Sequence, residues 1–252
     1  MVGRLPRPWR RAGRRTLLAL TPGRRRLSVE IAIERAMGRL EDELFLLPLL
    51  TAARGLAVDV GANRGYYTCV MAGIFRDVVA FEPNPDVIAG IAAMRAANVT
   101  FHRCALSSSV GTSRLYVPQG GETDYTGWGS LHPGHFPGAA PITELDVPVR
   151  RLDEFGLEGV AIIKIDVEGH EAEVLEGGRA TIAASRPVVI VETFPGNRRA
   201  VWGFFSQLGY SAGVFENGRL EMLPGGITDY SGSHAMFVFL PSPPTAPIVL
   251  HR

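Results

Sequence analysis

Lysine is almost absent from this chain of 252 residues, in which 26 side chains are basic and Lys164 is the only lysine. Acidic residues are absent from residues 1–26, which contain nine arginines. The rest of the chain therefore carries 17 basic and 25 acidic side chains. A nucleic-acid-binding domain is expected to present a basic face on its folded part. The acidic balance beyond residue 26 argues against a nucleic-acid partner.

Cysteines and long apolar runs are scarce as well. Cys69 and Cys104 are the two cysteines, and neither lies in a CxxC motif or at a metal-ligand spacing, so we interpret both as reduced packing residues of a cytoplasmic protein. No uninterrupted apolar run reaches the roughly 18 residues of a membrane span. Residues 1–26 also lack the apolar centre of a secretory signal. We expect them to form a disordered basic tail, and their arginines would allow peripheral contact with anionic lipid.

Short apolar runs alternate with helical patterns along most of the chain. Apolar residues at Ile33, Met37, Leu40 and Leu44 predict an amphipathic helix within residues 27–50 that ends near Pro48. The predicted strands are 55–60, 78–81, 99–106, 160–167 and 187–192, and the predicted helices are 64–75, 85–98, 169–184 and 197–208. This alternation indicates an α/β fold with a doubly wound, mostly parallel sheet. An Asn-Gly turn at 217–218 and the apolar run HAMFVFLP predict a closing antiparallel hairpin within a domain spanning residues 51–240, followed by a Pro-rich tail at 241–252.

A glycine-containing turn follows the first predicted strand in AVDVGANRGYYT. Gly61 and Gly65 would let the backbone turn tightly beside a ligand, and Glu82 ends the next strand 21 residues after Gly61, where a carboxylate can accept both hydroxyls of a ribose. The GxxxG spacing differs from the GxGxxG that binds a pyrophosphate, so an adenosine cofactor without phosphate, S-adenosylmethionine, fits better. Asp59 would face the methionine end of that cofactor, with Asn63 as a further hydrogen-bond partner. Two alternatives stay open: Asp59 caps the helix and the glycines only form the turn, or Glu82 serves a nicotinamide-dependent dehydrogenase.

Polar residues cluster at the end of the fourth predicted strand, in IIKIDVEGHE. Strand alternation places Lys164, Asp166 and Glu168 on one side, where an acidic partner is expected for the lysine. Asp166, Glu168 and His170 are the candidate catalytic residues, with His170 or Asp166 as a general base. A divalent metal is not favoured, since this chain offers Glu192 where metal-dependent O-methyltransferases usually supply an Asp-Asn pair. A purely structural role is the third interpretation.

Residues 119–141 show little regular pattern and are rich in glycine, proline and aromatic residues. A loop of this length in a compact domain is usually functional or disordered. Trp128, His132, His135 and Phe136 within it could form a wall or lid of a substrate pocket, or be incidental residues of a solvent-exposed loop.

Four blocks of the sequence resemble the FkbM family of S-adenosylmethionine-dependent methyltransferases: DVGANRGYYT, AFEPNP, VPVRRLDEF and IIKIDVEGHEAEVLEGG. They cover residues 56–194 in the order that the family shows. The resemblance implies a class I, Rossmann-like methyltransferase domain with an N-terminal helical extension. It also implies O-methylation of a hydroxyl on a small metabolite, sugar or polyketide.

The resemblance also assigns residues to sites. It places Asp59, Gly61, Asn63, Gly65 and Glu82 at S-adenosylmethionine, and Asp166, Glu168 and Glu171 in the block after the fourth strand. No residue is assigned as a metal ligand. The expected partner is a small molecule with a hydroxyl group, and the oligomeric state carries no signal in the sequence. A non-catalytic binding module with the same fold is the alternative.

Overall fold

The computed structural model describes residues 18–38, 40–119, 129–136, 141–216, 218–231, 235–244 and 247–249. The strands are β1 Leu56–Val60, β2 Asp77–Phe81, β3 Val99–His102, β4 Ala105–Leu106, β5 Gly111–Pro118, β6 Ile142–Arg150, β7 Val160–Ile165, β8 Val188–Thr193, β9 Ser211–Glu216, β10 Arg219–Met222 and β11 Ala235–Leu240. The α-helices are α1 Gly23–Ala36, α2 Leu47–Leu50, α3 Tyr66–Ala72, α4 Ile88–Met94, α5 Glu171–Gly177, α6 Arg179–Ser185 and α7 Arg198–Gln207. Two 3-10 helices span Asp42–Phe45 and Leu152–Phe155.

The main sheet has eight strands in the order β10-β9-β11-β8-β7-β1-β2-β3. The five strands from β8 to β3 in this order pair in parallel, whereas β11 pairs antiparallel with both β8 and β9. The predicted parallel sheet with an antiparallel end is therefore confirmed. Strand β1 lies between β2 and β7, so the strand order reverses there, and the crevice outside such a switch is where open α/β sheets bind ligands.

Both faces of this sheet are covered, because alternate residues of each strand enter different apolar clusters. Val58 and Ile163 belong to one cluster, while Ala57 and Ile162 belong to the other. The strand residues of β1 and β7 are all buried, which explains why these strands are apolar apart from Asp59 and Lys164.

A second sheet of three strands, in the order β4-β6-β5, was not predicted. Residues 99–106 were expected to form one strand. The structure divides them instead, because β3 joins the main sheet whereas β4 pairs with β6. A single apolar run cannot indicate that its two halves pair with different partners.

The N-terminal helix differs from its prediction. Helix α1 begins at Gly23, inside the predicted tail, and ends at Ala36 rather than near Pro48. The positive φ of Gly38 (63°) turns the chain soon after the helix ends. The buried face of α1 includes Leu27 and Ile31, which pack in the same apolar cluster as residues of α4. Residues 1–17 lie outside the described residues.

The predicted helix at 169–184 is two helices, α5 and α6, separated at Gly178. A Cβ atom at Gly177 would lie 2.0 Å from the carbonyl oxygen of Ser107, and one at Gly178 would lie 2.8 Å from Leu152. The two glycines thus let the helices approach the second sheet and the 3-10 helix Leu152–Phe155 that follows it.

None of the helices in the described ranges has the length and apolar character needed to cross a membrane.

Gly61 allows the carboxyl ends of β1 and β7 to come together. Its φ is 73°, and a Cβ at this position would lie 1.8 Å from the carbonyl oxygen of Asp166. The Asp166 N–H donates to the Val60 carbonyl at 3.1 Å, which continues the strand pairing up to the turn. Only glycine fits here without displacing one of the two strand ends.

We expect Gly61→Ala to lower the free energy of unfolding by more than about 2 kcal/mol, through backbone strain and overlap with Asp166. Gly156→Ala is the matched control, because Gly156 also has a positive φ (59°) but has no atom within 4 Å of an added Cβ. Urea unfolding of both variants separates the overlap from the cost of the φ angle. Equal destabilisation would show that the contact with Asp166 is unimportant.

Candidate active site

Glu82 lies at the end of β2 and is held by the turn that follows β1. Its two carboxylate oxygens accept one hydrogen bond each, from the N–H of Asn63 at 2.8 Å and from the N–H of Asn84 at 2.9 Å. The side chain is buried, and burial raises the pKa of Glu82 to about 7 despite these two donors. Each oxygen keeps a further lone pair that can accept a hydroxyl.

A cavity opens beside Glu82 at the carboxyl ends of the parallel strands. It contains about 560 Å³ of empty space, part of it open to solvent. Its apolar wall comes largely from the strand ends and the second sheet, namely Val60, Phe81, Cys104, Ala105, Leu106, Leu115, Leu131 and Val167. Its polar lining includes Asn63, Glu82, Asp166, Glu168 and His170. The structure therefore brings five predicted site residues to one cavity, which Gly61 also lines.

Asn63 also lines a second cavity, on the other side of the turn. This second cavity is lined by Leu40, Glu41, Leu44, Ala62, Asn63, Arg64, Tyr66, Tyr67, Lys164 and Asp166. Asn63 and Asp166 thus mark the place where the two cavities meet. The Asn63 backbone has a φ of 49°, and its buried Oδ1 has no hydrogen-bond partner among the described residues. A buried acceptor without a donor is costly, so a bound ligand that donates there would relieve that cost.

Asp59 and Gly65 line neither of these two cavities. The Asp59 side chain is fully buried beneath the turn, where its Oδ2 accepts a hydrogen bond from Thr68 Oγ1 at 2.5 Å. In this position Asp59 supports the turn between β1 and α3, and its expected role at the methionine end of a cofactor stays a prediction. A Cβ at Gly65 would lie 2.6 Å from Ile91, so this glycine serves the packing of α3 against α4.

Lys164 has the acidic partners that its burial requires. Its Nζ lies 3.2 Å from Asp166 Oδ2 and 3.8 Å from Asp59 Oδ1, and it donates to the Gly61 carbonyl at 2.9 Å. Burial lowers the pKa of Lys164, but the carboxylates of Asp166 and Asp59 outweigh it, so the net pKa is raised and the ammonium stays charged. The expected ion pair is confirmed.

Three carboxylates converge at the end of β7 and β8. Oxygens of Asp166, Glu168 and Glu192 all lie within 4.8 Å of one another. Burial and the charge of Asp166 raise the pKa of Glu168 to about 8 and that of Glu192 to about 10. These carboxyl groups therefore hold protons at neutral pH, and Glu192 shares a hydrogen bond with Asp166.

Glu171 has a structural position. It is fully buried, and its Oε1 accepts hydrogen bonds from the N–H groups of Val167 (3.3 Å) and Gly169 (3.0 Å). Its other oxygen accepts from the Asn197 amide. Burial nevertheless raises the pKa of Glu171 to about 7. The side chain thus shapes the turn that carries Glu168, whose own φ is 52°.

His170 lies on the same wall of the first cavity as the segment 129–136. Its Nε2 lies 2.9 Å from Ser107 Oγ, and its Nδ1 lies 3.3 Å from His132 Nε2. Burial lowers the pKa of His170 below its ordinary value, although Glu173 opposes this effect.

His135 Nε2 contacts Glu168 Oε2 at 3.1 Å, and the His135 ring packs edge-on against Phe136. Gly129 and Leu131 of the segment 129–136 line the first cavity, whereas His132, His135 and Phe136 line neither cavity, and Trp128 lies outside the described residues.

The family model for the FkbM methyltransferase domain matches residues 59–212, which is more than half of the chain. This chain belongs to the FkbM methyltransferase family. The curated methyltransferase sdnD of Sordaria araneosa is 31% identical over 160 residues, covering 48% of this chain and 59% of that protein. The chain thus spans less than two thirds of that relative.

A crystal structure of a methyltransferase FkbM from Methylobacillus flagellatus KT has the same fold, with a TM-score of 0.50 and 18% identity. The similarity covers 76% of this chain and 45% of that one. The expected class I methyltransferase fold is thereby confirmed.

Sequence patterns did not reveal several residues of this FkbM methyltransferase site. Ser107 follows β4 and contacts His170, and Asn197 precedes α7 and contacts Glu171. Tyr66 and Tyr67 lie in the quoted GYYT segment, which could have directed attention to them, and both line the second cavity. Ser107 and Asn197 carry no such local signal.

We expect Lys164→Met to destabilise this methyltransferase by roughly 3–5 kcal/mol, because it leaves Asp59 buried without its cation. The double variant Lys164→Met with Asp59→Asn removes that charge and should recover part of the loss. Chemical denaturation of the wild type, both single variants and the double variant measures the coupling. Strict additivity of the two substitutions would contradict the ion pair.

Proposed function

We propose that this protein is an S-adenosylmethionine-dependent O-methyltransferase that acts on a hydroxyl group of a small metabolite, sugar or polyketide. The position of Glu82 is the observation that carries the cofactor assignment. Its two oxygens are fixed by separate N–H groups at the edge of a cavity, with lone pairs left to accept both hydroxyls of a ribose.

Other residues at this cavity fit the same cofactor. The apolar wall that includes Leu106, Leu115 and Leu131 suits an adenine ring, and the buried Oδ1 of Asn63 suits a donor such as an amino group. Such a cofactor supplies a methyl group bonded to a sulfonium, which a nucleophile can displace. Gly61 leaves the backbone of the turn exposed to the cavity.

The second cavity is the proposed acceptor site, because it meets the cofactor cavity at Asn63 and Asp166. Its lining includes the polar side chains of Glu41, Arg64 and Tyr66, which can hydrogen-bond to a hydroxylated molecule. An acceptor oriented there would approach the carboxyl ends of the strands, and orientation of this kind can supply much of the rate acceleration.

A hydroxyl acceptor needs a group that removes its proton. We assign this step to Glu168, whose carboxylate lies within 4.8 Å of that of Asp166, the residue that lines both cavities. A general base works best when its pKa is close to the operating pH, and the pKa of Glu168 is about 8. Asp166 supports it with a neighbouring negative charge, while Glu192 retains its proton and shares a hydrogen bond with Asp166. Both nitrogens of His170 already contact other side chains, which makes the histidine the less suitable base.

We expect Glu82→Gln to weaken binding of S-adenosylhomocysteine by roughly 10- to 100-fold, the effect of losing hydrogen bonds to a charged acceptor. Wild-type affinity should rise with pH through about 7, since the ionised carboxylate is the better acceptor, and this rise should be absent in the variant. Calorimetric titrations between pH 6 and pH 8 measure both effects. Asp86→Asn is the control, because Asp86 is an exposed acid four residues away. Unchanged affinity in Glu82→Gln would refute the cofactor assignment.

We expect Glu168→Gln to lower kcat/KM for methyl transfer by about 100-fold or more. In the wild type kcat/KM should increase with pH up to about 8, where the base becomes ionised. Incubation with methyl-labelled S-adenosylmethionine and a metabolite extract, followed by mass spectrometry, first identifies an acceptor for these measurements. Loss of the pH dependence in His170→Gln, together with its retention in Glu168→Gln, would instead assign the base to the histidine.

A further inference from the structure

Three side chains with metal-binding atoms lie together at the start of α5 and take no part in the proposed reaction. His132 Nε2 is 3.3 Å from His170 Nδ1, and His170 Nδ1 is 3.6 Å from Glu173 Oε2. All three atoms lie within 4.8 Å of one another. His170 and Glu173 are three residues apart, a spacing that places both on one side of the helix start.

Two of these separations match the edges of a tetrahedral metal site. Zinc bonds to imidazole nitrogen and carboxylate oxygen at about 2.0–2.2 Å, so ligand atoms at tetrahedral angles lie about 3.3–3.6 Å apart. The two shortest separations in the cluster agree with this spacing. Two histidines and one glutamate also form a known ligand set for zinc, with the fourth position left for water.

Ser107 supplies the partner that a metal-binding histidine usually has. Its Oγ lies 2.9 Å from His170 Nε2. When Nε2–H donates to this hydroxyl, the lone pair of Nδ1 faces His132 and Glu173. Hydrogen bonds of this kind fix the tautomer and orientation of ligating histidines.

The segment 129–136 is already fastened at the position that brings His132 into the cluster. Ser130 Oγ donates to the Glu168 carbonyl at 2.6 Å and accepts from the His132 N–H at 3.1 Å. Ser130 also forms a β-bridge with Tyr116 of β5. The backbone at Ser130 and His132 is therefore fixed by both β5 and the turn before α5, which keeps the His132 side chain close to the start of this helix.

We propose that His132, His170 and Glu173 bind a divalent transition metal ion, for which zinc is the expected occupant, and that the ion joins the segment 129–136 to α5. Imidazole ligands favour zinc over magnesium or calcium. Leu131 and His170 both line the first cavity, so the ion would stabilise one wall of that cavity. This site is separate from the all-oxygen cluster of Asp166, Glu168 and Glu192, which already lies beside the Lys164 ammonium.

The test uses the full, untagged chain titrated with Zn²⁺ and with Co²⁺ after removal of metals. We expect one ion per chain, tetrahedral visible bands for Co²⁺, and an increase in Tm when Zn²⁺ is added. His132→Gln and Glu173→Gln should each weaken binding at least about tenfold and abolish the Tm increase. Ser107→Ala should weaken binding on the order of tenfold, as the loss of such a partner does.

His135→Gln is the matched control, because His135 lies in the same segment but contacts Glu168 instead of the cluster. It should keep wild-type affinity for both ions. Failure of the wild type to bind either ion would overturn the proposal. Loss of binding in Glu192→Gln with retention in His132→Gln would also overturn it, by assigning the ion to the carboxylate cluster. Circular dichroism of each variant verifies that it is folded.

Discussion

The close approach of β1 and β7 is the constraint on which the rest of the site depends. At Gly61 the Asp166 carbonyl occupies the space that any other side chain would need, and Lys164 holds both strand ends through the Gly61 carbonyl and the Asp166 carboxylate. This junction sets the turn that presents Asn63. It also determines where the two cavities meet, since Asn63 and Asp166 line both.

Carboxyl groups outnumber the buried ammonium at this junction, and this imbalance favours the protonated form of some of the carboxyl groups. A single buried ammonium faces Asp59 and Asp166, while Glu168 and Glu192 lie nearby in a poorly hydrated place. Burial and repulsion between carboxylates raise the pKa values of Glu168 and Glu192, so these groups can hold a proton near neutral pH. The O-methyltransferase function proposed above requires a group of this kind.

The walls of the first cavity come from parts of the chain that are far apart in sequence. Glu82 follows β2, Leu115 belongs to the second sheet, Leu131 lies in the segment 129–136, and His170 precedes α5. The proposed metal would join two of these parts at His132 and His170. We therefore expect that both cofactor binding and the position of the segment 129–136 depend on this wall of the first cavity.

Features that rest on local spacing could be predicted from the order of the residues alone. The buried strands, the glycine turn, the position of Glu82 and the closing hairpin were all readable, because strand burial and turn geometry follow from neighbouring residues. The place of Glu168 at the carboxyl ends of the parallel strands, near the switch in strand order, followed from its position after the fourth predicted strand.

Features that depend on distant partners could not be predicted in this way and became visible only in the folded structure. The burial of Asp59 and the division of residues 99–106 between two sheets depend on which elements pack together. The contacts of His170 with His132 and Ser107 join residues 38 and 63 positions apart. Such contacts leave no periodic signal in the chain, because the fold brings these side chains together only after the strands and helices have packed.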